Sequence, residues 1–225
     1  MTDSVDGVVF DLDGTLCEYR RSGGEVLEAA FEAAGVDPLF AVTDYYARFD
    51  EFVPGSDDIR EVRARCFAAL AEDAGRDPDV GRAVADAFVD ERDHSNVRWL
   101  PGAAEALDAL DERYPLAMVT NGDPWMQDQK LSAPGVADRF ETVVYGGFGA
   151  PSKPDPEPFR HAVEALDVEA PRAVTVGNSL EHDVAGAHNA GLRSVWLDRD
   201  GVGTPEPTPH HRIESMHELR EEPWD

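Results

Sequence analysis

Lysine is almost absent from this chain. Lys130 and Lys153 are its two lysines in 225 residues, and every other basic side chain of the Lys/Arg pair is arginine. Positive charge as a whole is scarce: 20 Lys and Arg face 46 Asp and Glu, for a formal net charge of −26 at pH 7. A chain so acidic repels polyanions, which excludes DNA and RNA as partners. Acids in this excess, with so little lysine, suggest a halophilic host whose salty cytoplasm screens self-repulsion. Cysteine is also scarce. Cys17 and Cys66 stand far apart and form no C-x-x-C pair. Neither a disulfide framework nor a thiolate metal site follows, and both are expected to pack as small apolar residues. No stretch approaches the roughly 18 unbroken apolar residues of a membrane span. The first ten residues carry acids in place of a basic region, so no signal peptide is expected and the cytoplasm is the default location.

What the chain does have is 42% hydrophobic residues, enough for a packed core, arranged in periodic runs. Short apolar runs without alternation suit strands of a parallel sheet buried on both faces. They lie at Val5–Phe10, Leu116–Thr120, Thr142–Tyr145, Ala173–Val176 and Arg193–Leu197, each running into Gly, Asn or Asp. Helical spacing marks Ala103–Asp111, Pro156–Leu166 and Glu181–Ala190 between them. This order predicts an α/β fold, a doubly wound parallel sheet of Rossmann-like type, whose ligands bind beyond the carboxyl ends of the strands. Residues 17–97 break the pattern. They carry no strand signal and read as consecutive helices at Glu25–Ala34, Asp58–Ala74 and Val80–Arg92, separated by turns at Gly35–Pro38, Pro54–Asp57 and Gly75–Pro78. The expected division is therefore a core of residues 1–16 and 98–225 with an α-helical domain of residues 17–97 inserted. The Pro-rich segment Gly203–His211 reads as a loop, and the residues from His210 on as an edge strand and a last short helix.

Four groups of unusual residues fall at four successive strand ends. The first is Asp11-Leu12-Asp13-Gly14-Thr15. In extended chain, residues i and i+2 point the same way, so both carboxylates can face one site. One carboxylate can attack phosphorus, and a second can protonate a leaving group and then activate water. By composition, D-x-D-G-T arises by chance in about one such sequence in a hundred. A calcium loop does not fit, because its sixth and twelfth positions hold Leu16 and Ser22. The second group is Thr120-Asn121-Gly122, where a hydroxyl and backbone N–H groups can hold phosphate oxygens; alone, Asn-Gly is a common turn. The third is Ser152-Lys153-Pro154-Asp155-Pro156, a point charge on a Pro-flanked loop. The fourth is Gly177-Asn178-Ser179-Leu180-Glu181-His182-Asp183, opening a helix; Asp183 can complete an oxygen site for magnesium or serve as a first-turn acid. His182 reads as a solvent-facing residue.

The ordered set D-L-D-G-T, T-N-G, K-P-D-P and G-N-S-x-x-x-D resembles the four motifs of the haloacid dehalogenase superfamily of hydrolases, and the likeness spans nearly the whole chain. The helical insert resembles that superfamily's cap domain between the first two motifs. The resemblance implies a Mg²⁺-dependent phosphatase in which Asp11 is the nucleophile and Asp13 the general acid/base. Thr120 and Asn121 bind phosphate, and Lys153 steadies Asp11 and the phosphoryl charge. Asp183, Asp11 and the backbone carbonyl of Asp13 hold the metal. Asn178 stands where many relatives carry Asp and is held apart from that ligand set; its amide oxygen is neutral. The substrate is expected to be a small phosphorylated metabolite, chosen by cap residues among Tyr19, Arg20, Arg21, Tyr45, Tyr46, Arg48 and Phe49. The expected assembly is a monomer or dimer without membrane attachment. A 2-haloacid dehalogenase would use the same Asp11 but leave Asp13 and Asp183 without work. A phosphomutase would need the cap to hold a bisphosphate. A binding protein would need none of the catalytic groups.

Overall fold

The computed structural model describes residues 4–55, 58–132, 136–201 and 203–224. Its contacts divide the chain into two units, one of residues 1–18 and 97–225 and one of Tyr19–Asn96.

The first unit is built on β1 (Gly7–Phe10), β4 (Leu116–Asn121), β5 (Thr142–Gly146), β6 (Ala173–Gly177), β7 (Arg193–Leu197) and β8 (His211–Ile213). They form one six-stranded sheet in the order β5-β4-β1-β6-β7-β8, every pair parallel. The chain leaves β1 for β4 and β5 on one side and returns for β6 on the other. The order therefore reverses at β1, which is where such sheets bind ligands. Each residue of β1 is buried, as its unbroken apolar run requires. Helices α5 (Ala103–Asp111), α6 (Pro124–Ser132), α7 (Glu157–Ala165) and α8 (Ala185–Ala190) connect the strands. Val9, Val119, Phe159, Val163 and Leu192 belong to one core cluster that joins sheet to helices. The segment expected as one helix over Glu181–Ala190 begins as a wider, π-type turn at Leu180–Val184 before α8.

The second unit contains α1 (Gly23–Ala33), α2 (Val42–Phe52), α3 (Ile59–Asp73) and α4 (Pro78–Glu91). Ser22 caps α1 and Asp77 caps α4, with Pro78 at its first position, as helix starts favour. The unit has its own core of Leu27, Phe31, Tyr45, Phe67, Leu70 and Phe88. Two short strands, β2 (Cys17–Tyr19) and β3 (Val97–Trp99), pair where the chain passes from one unit to the other and back. Three-residue strands carry too little pattern to be read in a sequence, so this pair went unseen there. The turn at Pro54–Asp57 lies partly outside the described residues. Cys17 and Cys66 are buried and unbridged, and burial pushes their thiols up to about 12 and about 11. Among the described residues no helix is long and apolar enough to cross a membrane.

Candidate active site

The carboxyl end of β1 delivers Asp11. Its N–H still donates to Val176 O at 2.9 Å, so the residue is fixed by the sheet ladder. Asp11 is 6% exposed, and its carboxylate is held at both oxygens: Lys153 Nζ donates to Oδ1 at 2.7 Å, and Thr15 Oγ1 to Oδ2 at 2.8 Å. Burial raises its pKa well above the ordinary carboxylate range. Lys153 works against that shift, and the neighbouring charge of Asp183 adds to it. The turn after Asp11 depends on Gly14, whose φ is +80°; a Cβ there would stand 2.6 Å from Asn178 Nδ2.

Lys153 has three N–H groups, and each has a partner: Asp11 Oδ1 at 2.7 Å, Asp183 Oδ1 at 2.7 Å and Val119 O at 2.9 Å. Lys153 is 4% exposed. Burial opposes its charge, but Asp11 and Asp183 outweigh that and raise its pKa above the usual lysine value. Asn121 places the loop that carries it, since its side chain accepts from Lys153 N at 2.8 Å and donates to Lys153 O at 3.1 Å. The Asn121 amide therefore serves Lys153 first and keeps one further hydrogen for another acceptor. Thr120, 1% exposed, accepts from Gln127 Nε2 at 2.8 Å, which leaves its hydroxyl proton free to turn to an incoming oxygen. Asp183 is buried, and its Oδ2 accepts from Ser179 N at 2.9 Å. Asn178 Oδ1 lies 3.3 Å from Thr15 Oγ1, the hydroxyl that holds Asp11. A cavity of about 480 Å³ opens beside Asn178, lined also by Glu181, Trp196, Asp198 and Arg199.

Asp11, Lys153 and Asp183 thus meet directly, with Asn178 joined to them through Thr15. Asp13 faces a different partner, Lys130 Nζ, at 2.8 and 2.7 Å from its two oxygens, and Gln127 Nε2 at 3.0 Å from Oδ2. Lys130 and Gln127 stand three residues apart on α6, a helix the sequence reading passed over. The scarcity of lysine was the available signal, and it pointed to Lys130 as strongly as to Lys153. His182 is exposed, as expected. Of the residues considered for substrate choice, Tyr45 is a core residue, its ring 5.0 Å from Phe67 and 6.1 Å from Phe88. Arg48 pairs with Glu51 and Asp73, while Tyr46 is 54% exposed.

The donor set is made of hard oxygens around a buried negative excess. Among the described residues no three His, Cys, Asp or Glu side chains gather as a metal cluster. A cation here would draw on one or two carboxylates with carbonyl, amide and water oxygens, which is how magnesium is usually held. The residues present fit that ion.

A model of the haloacid dehalogenase-like hydrolases matches residues 5–191. The phosphoserine phosphatase of Thermus thermophilus is 32% identical over 245 residues, covering 94% of this chain and 96% of that protein. The phosphoglycolate phosphatase of Neisseria meningitidis is 33% identical over 203 residues, covering 87% of this chain and 81% of that protein. Among solved structures, the 2-haloacid dehalogenase of Pseudomonas syringae superposes with a TM-score of 0.70 at 27% identity, covering 96% of this chain and 97% of that one.

Proposed function

The chain belongs to the haloacid dehalogenase-like hydrolases and acts on phosphoric monoesters; from that premise we propose a magnesium-dependent phosphatase that works through an aspartyl phosphate on Asp11. The observation that carries this reading is the hold on Asp11. Lys153 and Thr15 fix its two oxygens at 2.7 and 2.8 Å, so the carboxylate is pointed before a substrate arrives.

In the first half-reaction an Asp11 oxygen bonds to phosphorus and the bond from phosphorus to the ester oxygen breaks. Asp13 gives that oxygen a proton, and the alcohol leaves. In the second, water attacks the phosphorus of the aspartyl phosphate and yields a proton to Asp13. The bond from phosphorus to Asp11 breaks, and phosphate and a free Asp11 carboxylate remain. The Thr120 hydroxyl donates to a phosphoryl oxygen throughout, and Lys153 balances charge beside Asp11. Asp11, the Asp13 carbonyl and Asp183 would hold Mg²⁺; Asn178 stays outside that ligand set. When bound, that ion neutralises the negative charge that substrate and carboxylates share. The helical unit acts as the cap that selects the substrate, a small phosphorylated metabolite. Phosphoserine and phosphoglycolate are the first compounds to try, since the relatives named above act on them.

The test is phosphate release from p-nitrophenyl phosphate and from a panel of phosphorylated metabolites, with Mg²⁺ and with EDTA. Release is expected with Mg²⁺, loss in EDTA and recovery on adding Mg²⁺ back. An undiminished rate in excess EDTA would remove the metal from the reading. Halide release from a 2-haloacid with no phosphate release from any ester would make the chain a dehalogenase.

A further inference from the structure

Both lysines of the chain are buried, and each grips one carboxylate of the Asp11-Leu12-Asp13 pair. Lys153 holds Asp11; Lys130, 3% exposed on α6, contacts both oxygens of Asp13 at 2.8 and 2.7 Å. Gln127 lies on the same face of that helix, one turn earlier. Its Nε2 is 3.0 Å from Asp13 Oδ2, 2.8 Å from Thr120 Oγ1 and 3.0 Å from the carbonyl oxygen of Asn121. We propose that Lys130 and Gln127 are positioning residues for Asp13: they hold its carboxylate in register with Thr120, and the hydrolysis of the phosphoenzyme depends on them. The inference rests on the acid/base assignment of Asp13 given above.

Three observations support it. The Asp13 side chain is 41% exposed, so without a clasp its carboxylate would sample several rotamers in water. Proton transfer needs one of them, and holding it there is worth rate. Second, the cation is one of two lysines in a chain whose other Lys/Arg residues are all arginine. A compact ammonium can sit between both oxygens of one carboxylate in a closed slot, where a planar guanidinium is longer and wider. Third, Gln127 is 1% exposed, and its Oε1 has no hydrogen-bond partner among the described residues. Leaving that oxygen unpaired is unfavourable, yet the opposite orientation would set it against Asp13 Oδ2 and the Asn121 carbonyl. The site therefore dictates how the amide points, and the helix does not.

The experiment is a double-variant series read by rapid-quench kinetics with p-nitrophenyl phosphate, whose leaving group departs without a proton. Lys130→Met and Gln127→Met are made in the native chain and in Asp13→Asn. Lys130→Met is expected to slow phosphoenzyme hydrolysis roughly 10- to 100-fold, a share of what acid/base catalysis supplies. KM and phosphoenzyme formation should stay near native values, and Gln127→Met should give a smaller loss of the same kind. In the Asp13→Asn background Lys130→Met should add no further loss, because Lys130 acts through Asp13; Gln127→Met should keep a small further loss there, read in KM, because Gln127 also holds Thr120 at 2.8 Å. Losses that multiply in Lys130→Met with Asp13→Asn, or equal slowing of both half-reactions in Lys130→Met, would overturn the inference. If Lys130→Met does not fold, Lys130→Gln keeps a donor without the charge and carries the same comparison. A native rate of hydrolysis in Asp13→Asn alone would overturn the acid/base assignment itself, and the single variant tells that failure from the other.

Discussion

The two units of the chain treat charge in opposite ways. The helical unit, Tyr19–Asn96, has 18 acids, nine arginines and no lysine, and it keeps most of its charge at the surface. Its surface pairs, among them Arg48 with Glu51 and Arg82 with Asp79 at 3.3 Å each, lie in solvent where screening leaves them little weight. Stability there comes from an aromatic core, in which Phe67 lies edge-on to Phe40, Tyr45 and Phe88 at 5.0, 5.0 and 5.6 Å. Arg63 is the exception, buried with its guanidinium 5.1 Å from the Phe88 ring centre. The α/β unit does the reverse at its sheet edge, where it buries Asp11, Asp183, Lys153 and Lys130. Buried charges are costly even when paired, and apolar residues of similar volume would often be as stable. At the end of β1 buried charge serves the chemistry; elsewhere in the α/β unit the buried Asp198 and Glu222 are paired with Arg212 and with Arg113 and Tyr114.

Removing the nucleophile tests that contrast most strongly. Asp11→Asn should lower turnover by roughly 10⁴-fold or more, as loss of a nucleophile does. It should leave the thermal midpoint unchanged or raised, since a buried carboxylate whose pKa burial has pushed up is replaced by a neutral group. Steady-state kinetics on a sample shown free of deamidation, with a melting curve, decides it. A large drop in melting temperature would mean that the site charges hold the fold together.

The mirror experiment lies in the helical unit. A Cβ on Gly81 would stand 2.2 Å from the Phe67 carbonyl oxygen, so α3 and α4 approach each other through that glycine. Gly81→Ala forces the two backbones apart and should cost about 3 kcal/mol, the upper range for an overpacked core. Denaturant titration followed by helix signal would measure it. An unchanged midpoint would show that the contact yields freely.

Salt acts on both units together and by less. With a net charge of −26 the folded chain repels itself, and molar KCl screens that repulsion to a distance of about 3 Å. The melting temperature should rise by several degrees between dilute buffer and molar KCl. Equal values would count against the halophilic reading of the composition.

These same differences decide what could be read from the sequence. The parallel sheet was legible because β1, β4, β6 and β7 are short apolar runs ending in Gly, Asn or Asp. The residues that chemistry needs stand at those ends, so D-L-D-G-T and K-P-D-P were legible too. Helix α6 was not. Its sequence, PWMQDQKLS, puts Trp125, Met126 and Leu131 at no steady helical interval, and its buried side chains include Gln127 and Lys130. A helix whose inner face is polar gives no hydrophobic period to read, and that polar face carries the clasp on Asp13. Helix α2 lies inside the stretch read as consecutive helices, although it was not among the three helices named there; Val42, Tyr45, Tyr46, Phe49 and Phe52 repeat at helical spacing. Asn178 sits against Gly14 because the glycine leaves room for it, a fit between residues 164 positions apart that no local pattern encodes.

The smallest effect concerns the edge of the sheet, where the α/β unit holds histidines in place of catalytic charge. His210 Nδ1 lies 3.1 Å from Ser194 Oγ, accepts from Ser194 N at 3.2 Å and stands 3.2 Å from His188 Nε2. Burial lowers the pKa of His210, and His188, His211 and Arg193 lower it further. His211 is lowered as well, by burial and by Arg193. In the unfolded chain a histidine titrates near 6.5. Between the depressed folded value and 6.5 the unfolded state binds more protons, so stability rises with pH through that window and is lost as pH falls. His210 is well exposed, and solvent screening keeps the effect small. In urea midpoints measured from pH 7.5 down to pH 5, the native chain should lose stability relative to His210→Gln; Asp11, its pKa raised by burial, acts in the opposite direction in both proteins and cancels from the comparison. Some slope should persist there, because His211 still titrates. Identical slopes in the two proteins would show that protonation of His210 costs the fold nothing.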